Sequence, residues 1–89
     1  MEGLILSPYR VLISIEVLQL HRPSRQSRDR ILSFLESLAG NPNQTGDYAE
    51  RDDTGRSVHI KIIGDYALTY FADHAVKEVK VTKVETADR

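Results

Sequence analysis

The chain has 89 residues, room for one small domain with a thin core. Apolar residues make up 40% and charged residues 28%, with 12 Lys+Arg against 13 Asp+Glu, which is the composition of an ordinary globular protein and excludes a disordered tail or a coiled coil. Cysteine is absent, which excludes disulfides, Cys-ligated zinc, iron–sulfur clusters and thiol nucleophiles, and favours a reducing compartment.

The N-terminal Met1-Glu2-Gly3 lacks the basic start of a secretion signal, and the apolar Leu4-Ile5-Leu6 stops at Ser7-Pro8. No apolar run approaches the roughly 18 residues of a membrane span. The expectation is a single domain over residues 1–89, cytoplasmic, without membrane contact, in which residues 1–8 form an N-terminal extension.

The first strand signal is Tyr9-Arg10-Val11-Leu12-Ile13-Ser14-Ile15, β-branched and aromatic-rich, with Tyr9, Val11, Ile13 and Ile15 on one side. Residues Glu16 to His21 read as more strand or a short helix, ended by Pro23. The clearest helix follows. Ser24 or Ser27 can cap it, and Ile31, Phe34, Leu35 and Leu38 fall at the spacing of one buried stripe. Gly40 is expected in the left-handed position that closes a helix, with Pro42 preventing continuation. Four arginines (Arg22, Arg25, Arg28, Arg30) crowd its start, where positive charge opposes the helix dipole at about 0.3–1 kcal/mol each. A partner that neutralises them would explain their tolerance, and so would simple exposure. An opposing acidic group, Asp47, Glu50, Asp52 and Asp53, lies downstream, so the charge pattern suits electrostatic recognition better than bulk polyanion binding.

Residues 41–56 read as a long polar loop, with room for a turn of helix around Tyr48–Arg51. The remainder reads as a meander. Ser57–Ile63 and Tyr66–Asp73 flank the two-residue turn Gly64-Asp65, and Lys77–Glu85 follows as a third strand. That turn fixes the register, pairing Ile63 with Tyr66, Ile62 with Ala67, Lys61 with Leu68, Ile60 with Thr69, His59 with Tyr70 and Val58 with Phe71. Cross-strand partners share a face. The face carrying Val58, Ile60, Ile62, Ala67, Thr69 and Phe71 is expected to take the helix. The face carrying His59, Lys61, Ile63, Tyr66, Leu68 and Tyr70 is expected to remain open. Val84 breaks the odd-numbered spacing of Val79 and Val81, which predicts a bulge near Thr82–Lys83.

The sequence offers no metal or cofactor signature. His21, His59 and His74 are scattered, Asp52-Asp53 lacks calcium-loop spacing, and there is no glycine-rich phosphate loop, nucleophile elbow or paired-carboxylate arrangement. His21 and His74 read as solvated.

Taken with their order and spacing, several stretches resemble the RelE/ParE superfamily of toxins from type II toxin–antitoxin systems. Ile13-Ser14-Ile15-Glu16-Val17-Leu18 is similar to the family's opening strand and helix start. Arg28-Asp29-Arg30-Ile31-Leu32 through Leu38-Ala39-Gly40-Asn41-Pro42 is similar to its second helix and terminating Asn-Pro. Gly46-Asp47-Tyr48 and Gly55-Arg56 fit its loop, Gly64-Asp65-Tyr66-Ala67-Leu68-Thr69-Tyr70 its hairpin, and Val79 to Val84 its closing strand. The resemblance covers about residues 9–86.

It implies an α+β fold of order β-α-α-β-β-β, a small, mostly antiparallel four-stranded curved sheet packed against two N-terminal helices. It also implies a bacterial toxin of the kind linked to plasmid stabilization, held in check by a cognate antitoxin and requiring no cofactor or metal. The mRNA-cleaving branch inhibits translation by cutting codons on the ribosome. Basic side chains stabilise the phosphate as a ribose 2′-hydroxyl attacks, and another group activates that hydroxyl. His59 and Lys61 fall where that branch carries two catalytic lysines. Its third-strand arginine falls on Ala67, its later arginine near Ala87, and its tyrosine beyond Arg89. The ParE branch, directed at DNA gyrase, is matched at least as closely by the turn and meander, and a diverged, non-toxic member serving as a protein- or RNA-binding module is the remaining alternative. Under either branch, Arg22, Arg25, Arg28, Arg30, Arg56, Tyr70 and Lys83 are the expected contacts to nucleic acid or partner, with Tyr70 able to stack on a base.

Overall fold

The computed structural model describes residues 9–13 and 24–87. Strand β1 spans Arg10–Ile13, helix α1 Arg25–Gly40, β2 Tyr48–Arg51, β3 Ser57–Ile63, β4 Tyr66–Asp73 and β5 Glu78–Thr86. The strands form one sheet in the order β1-β5-β4-β3-β2. β1 runs parallel to β5, pairing Arg10 with Glu78 and Ile13 with Val81, and the other neighbours are antiparallel.

One feature departs from the expected β-α-α-β-β-β order, and one expected helix falls outside the described residues. Residues 41–56 are not a continuous loop, because Tyr48–Arg51 pairs with Ser57–Ile60 as a fifth strand and not as a turn of helix. Its residues are all exposed, so it carries no apolar alternation by which a sequence reading could find it. Among the described residues there is one helix. The stretch Glu16–His21 that could supply the other lies outside them, as does Arg22.

Helix α1 begins at Ser24, whose Oγ accepts a hydrogen bond from the Ser27 N–H at 3.1 Å. Ile31, Leu35 and Leu38 are buried on one stripe, with Phe34 partly buried beside them. Burying each contributes roughly 1.5–3 kcal/mol. Gly40 is the last helical residue and does not take the expected left-handed conformation; Gly55 and Gly64 do. Asn41 ends the helix by donating its N–H to the Ser37 carbonyl at 3.0 Å.

The β3–β4 hairpin has the expected register from Ile63–Tyr66 to His59–Tyr70. Gly64 adopts φ of +59°, the first-position geometry of a type II′ turn. The expected bulge is also present. Thr69 pairs with Lys83 and Tyr70 with Val81, so Thr82 is the extra residue.

The choice of face is the opposite of that expected. The core joins Ile31, Leu35 and Leu38 to Ile63, Leu68, Tyr70, Val79 and Val84, so α1 covers the face that carries His59 and Lys61. The bulge is the reason. By inserting Thr82 it brings Val79, Val81 and Val84 to one side, opposite Ala72, Tyr70 and Leu68, and β1 adds Val11 and Ile13 there. The β3–β4 hairpin alone is apolar on both faces and cannot decide; β5 and β1 tip the balance. On the reverse face Val58 and Phe71 are buried as a smaller apolar group outside that core.

Candidate functional site

Where α1 ends and β3 begins, the surface opens into a cleft of about 470 Å³ lined by Pro42, Asn43, Arg56, Ser57, His59, Phe71, Ala72, Asp73 and His74. Its walls come from the post-helix turn, the first residues of β3 and the last of β4. Arg56 and His59, both singled out from the sequence, thus share one site.

Arg56 is held from two sides. Its guanidinium lies 4.1 Å above the centre of the Phe71 ring and 3.7 Å from the Asp52 carboxylate. Asp52 organises the β2–β3 turn. Its Oδ1 accepts from the Thr54 N–H at 2.9 Å, the Thr54 hydroxyl at 2.6 Å and the Arg56 N–H at 2.9 Å. The Thr54 hydroxyl, foremost, keeps the Asp52 carboxyl below its usual range, aided by the two N–H groups and the Arg56 charge. Gly55 at φ +84° closes the turn, and Arg51 donates to its carbonyl at 2.8 Å.

His59 lies beside Tyr70, ring centres 5.6 Å apart. Lys61, two residues on, does not line the cleft. Its ammonium sits 3.8 Å from Asp47 and 5.8 Å from the centre of the Phe34 ring, at the rim of the helix-covered face and about one-third exposed. Asp47 in turn accepts from the Ile62 N–H at 2.8 Å and donates its own N–H to the Ile60 carbonyl at 2.8 Å. Gly46 makes that approach feasible, since a Cβ there would lie 2.4 Å from the Ile60 carbonyl oxygen.

Tyr70 cannot offer its ring to a base. It is 1% exposed, packed edge-on against Phe34 at 5.5 Å, and donates its hydroxyl to the Gln44 carbonyl at 3.0 Å. Burial, with a smaller contribution from Asp47, pushes its phenol up to about 12. The stacking role expected of it is corrected by the placement of α1 over its face.

The arginines stand apart from the cleft. Arg25, Arg28 and Arg30 are exposed on the first turns of α1, which carry no acidic residue in the first turn. A side chain at Gly64 would come within 3.6 Å of the Arg30 guanidinium, so this end of the helix lies by the β3–β4 turn. The helix has 16 residues, about 24 Å at 1.5 Å each, and the cleft is at its other end. Lys83 is exposed on β5, paired with Thr69 on the reverse face.

Sequence reasoning missed His74 and Asp73 as residues lining the same cleft as His59. His74 is exposed but tethered, its Nδ1 lying 2.7 Å from the Tyr9 hydroxyl. Asp73 accepts from the Lys80 ammonium at 3.1 Å, which keeps its carboxyl below the usual range. The Tyr9–His74 contact joins residues 65 apart in the chain and leaves no local signal, whereas Asp73 and Lys80 meet across the β4–β5 connection, seven residues apart. Among the described residues no cluster of His, Asp or Glu could hold a metal, and no helix is long and apolar enough to cross a membrane.

No family model and no curated protein matches the sequence. Solved structures do match. One is a chain of the RelE–RelB complex of the archaeon Pyrococcus horikoshii, with TM-score 0.74 and 23% identity, over 92% of this chain and 98% of that one. Another is a chain of the RelBE2 toxin–antitoxin complex of Mycobacterium tuberculosis, with TM-score 0.69 and 21% identity, over 89% and 98%. The protein therefore has the RelE-like fold, over nearly the whole of its length.

Proposed function

We propose that this protein is the toxin component of a type II toxin–antitoxin pair, inhibiting translation by cutting mRNA on the ribosome, and that the cleft at the end of β3 and β4 receives the RNA. The observation that carries the reading is the gathering of Arg56, His59 and His74 in one open cleft on a RelE-like fold. A permanent cation and titratable imidazoles are the groups that metal-independent phosphodiester cleavage needs. Arg56 meets charge developing on the phosphate, and His59 takes the proton of the attacking 2′-hydroxyl. Lys61 contributes positive potential at the rim, tempered by Asp47. The antitoxin, an acidic segment, docks on Arg25, Arg28 and Arg30, which face solvent at the far end of α1. The site of action is cytoplasmic.

A second reading, binding to DNA gyrase without cutting, draws support from Ala67 and Ala87, which stand where the mRNA-cleaving branch is expected to carry arginines. Inducing the protein without a partner and mapping mRNA ends on ribosomes separates the two. Codon-aligned breaks, lost in Arg56→Ala and His59→Ala, are the expected result. Growth arrest with intact mRNA and a DNA-damage response would move the assignment to gyrase, and absence of arrest would remove both.

A further inference from the structure

His74 has no assigned part in the reaction, yet it is the most deliberately placed group in the cleft. It opens the 74–77 connection between β4 and β5, where exposed side chains ordinarily move freely. Here the Tyr9 hydroxyl meets its Nδ1 at 2.7 Å, and the two rings pack edge-to-face with centres 5.5 Å apart. Tyr9 is itself fixed, donating its N–H to the Ala39 carbonyl at 3.1 Å near the end of α1. The imidazole is thus tied through Tyr9 to the C-terminal end of α1, just before the turn that lines the cleft with Pro42 and Asn43.

That tether leaves Nε2 as the nitrogen available to a ligand. A phenol oxygen can accept from a protonated Nδ1, so an imidazolium can surrender its Nε2 proton while the Nδ1–H···O bond persists unchanged. Asp73, adjacent in the chain and lining the same cleft, is kept ionised by the Lys80 ammonium, and Arg56 is the cation left to the phosphate.

We infer that His74 is the general acid of RNA cleavage, complementary to His59 as base; this rests on the ribonuclease reading of the cleft. The bond from the ribose 2′-oxygen to phosphorus forms and the bond from phosphorus to the 5′-oxygen breaks. His59 gains the 2′-hydroxyl proton, and His74 gives its Nε2 proton to the departing 5′-oxygen. The products are a 2′,3′-cyclic phosphate and a 5′-hydroxyl, and proton exchange with solvent restores both imidazoles. No other reactant is required.

The test uses two programmed ribosomes, one with an ordinary A-site codon and one whose scissile linkage carries sulfur in place of the bridging 5′-oxygen. A thiolate leaves without being protonated, so only the loss of a general acid is repaired by it. On the ordinary codon His74→Gln is expected to slow cleavage about 10²–10⁴-fold. On the sulfur-bridged codon it should come within roughly tenfold of the unaltered protein, while His59→Ala stays slow on both. Tyr9→Phe, which removes the tether and keeps the ring, should show a smaller loss with the same repair. Equal losses of His74→Gln on both codons, no loss at all, or repair of His59→Ala in its place would overturn the assignment. If the unaltered protein cuts neither codon, the ribonuclease reading fails first and the inference falls with it.

Discussion

Replacing Gly46 by alanine should cost more than most substitutions on this surface, and the structure says how much. The added Cβ would lie 2.4 Å from the Ile60 carbonyl oxygen, 2.8 Å from its carbon and 3.0 Å from the Ile60 nitrogen. All three are backbone atoms inside β3, so the Gly46 segment must retreat by roughly 0.8–1 Å to reach ordinary contact. The Asp47 N–H to Ile60 carbonyl bond, now 2.8 Å, would then exceed hydrogen-bonding distance. The bond from the Ile62 N–H to the Asp47 carboxylate, also 2.8 Å, is strained by the same movement. Losing a neutral bond costs about 0.5–1.5 kcal/mol and one to a charged group about 1.5–3 kcal/mol, so the total is at most about 2–4.5 kcal/mol. For a chain of this size that lowers Tm on the order of 10–20 °C. Gly40→Ala is the control. Nothing lies within 4 Å of its added Cβ, and at the end of α1 it should be neutral or stabilise by up to about 1 kcal/mol. Urea unfolding followed by circular dichroism measures both. A Gly46→Ala change below about 0.5 kcal/mol, within the range of ordinary surface substitutions, would show that the 46–47 segment is not pinned to β3 as described.

Leu38→Ala empties a fully buried position beneath the sheet and should destabilise by about 2–5 kcal/mol in the same unfolding assay. Tyr70, with a phenol raised to about 12, stays neutral in the folded protein while the unfolded chain ionises near the ordinary value of about 10. The unfolded state therefore releases the proton first, and stability should decline as pH rises from about 10 to about 12, a slope that Tyr70→Phe removes. Asp52 behaves in the opposite sense. Its carboxyl is lowered chiefly by the Thr54 hydroxyl, so its contribution is present above the ordinary carboxylate range and is lost as pH falls through and below it. Carboxyl-carbon NMR titration should place Asp52 below a typical aspartate and move it towards the ordinary value in Thr54→Ala.

The sequence by itself determined the elements whose cause is local. Ser24, the Ile31–Leu38 stripe and Asn41-Pro42 specify α1 through capping, 3.6-residue periodicity and chain stiffness. Gly64-Asp65 specifies the hairpin register because a two-residue turn leaves one way to pair its arms. The displaced spacing of Val84 announced the bulge at Thr82. Composition within the hairpin could not choose the face that α1 covers, since both sides are apolar enough; the pairing of β5 and β1 chose it, reversing the surroundings of Lys61 and burying Tyr70. The edge strand β2 was likewise invisible, its residues all being exposed, and it lies against β3 because Gly46 allows the chain to approach the β3 backbone. The cleft belongs wholly to tertiary structure. Arg56 and His59 were legible as single residues, but their company with His74 depends on its pairing with Tyr9, 65 residues away, which the fold alone brings together.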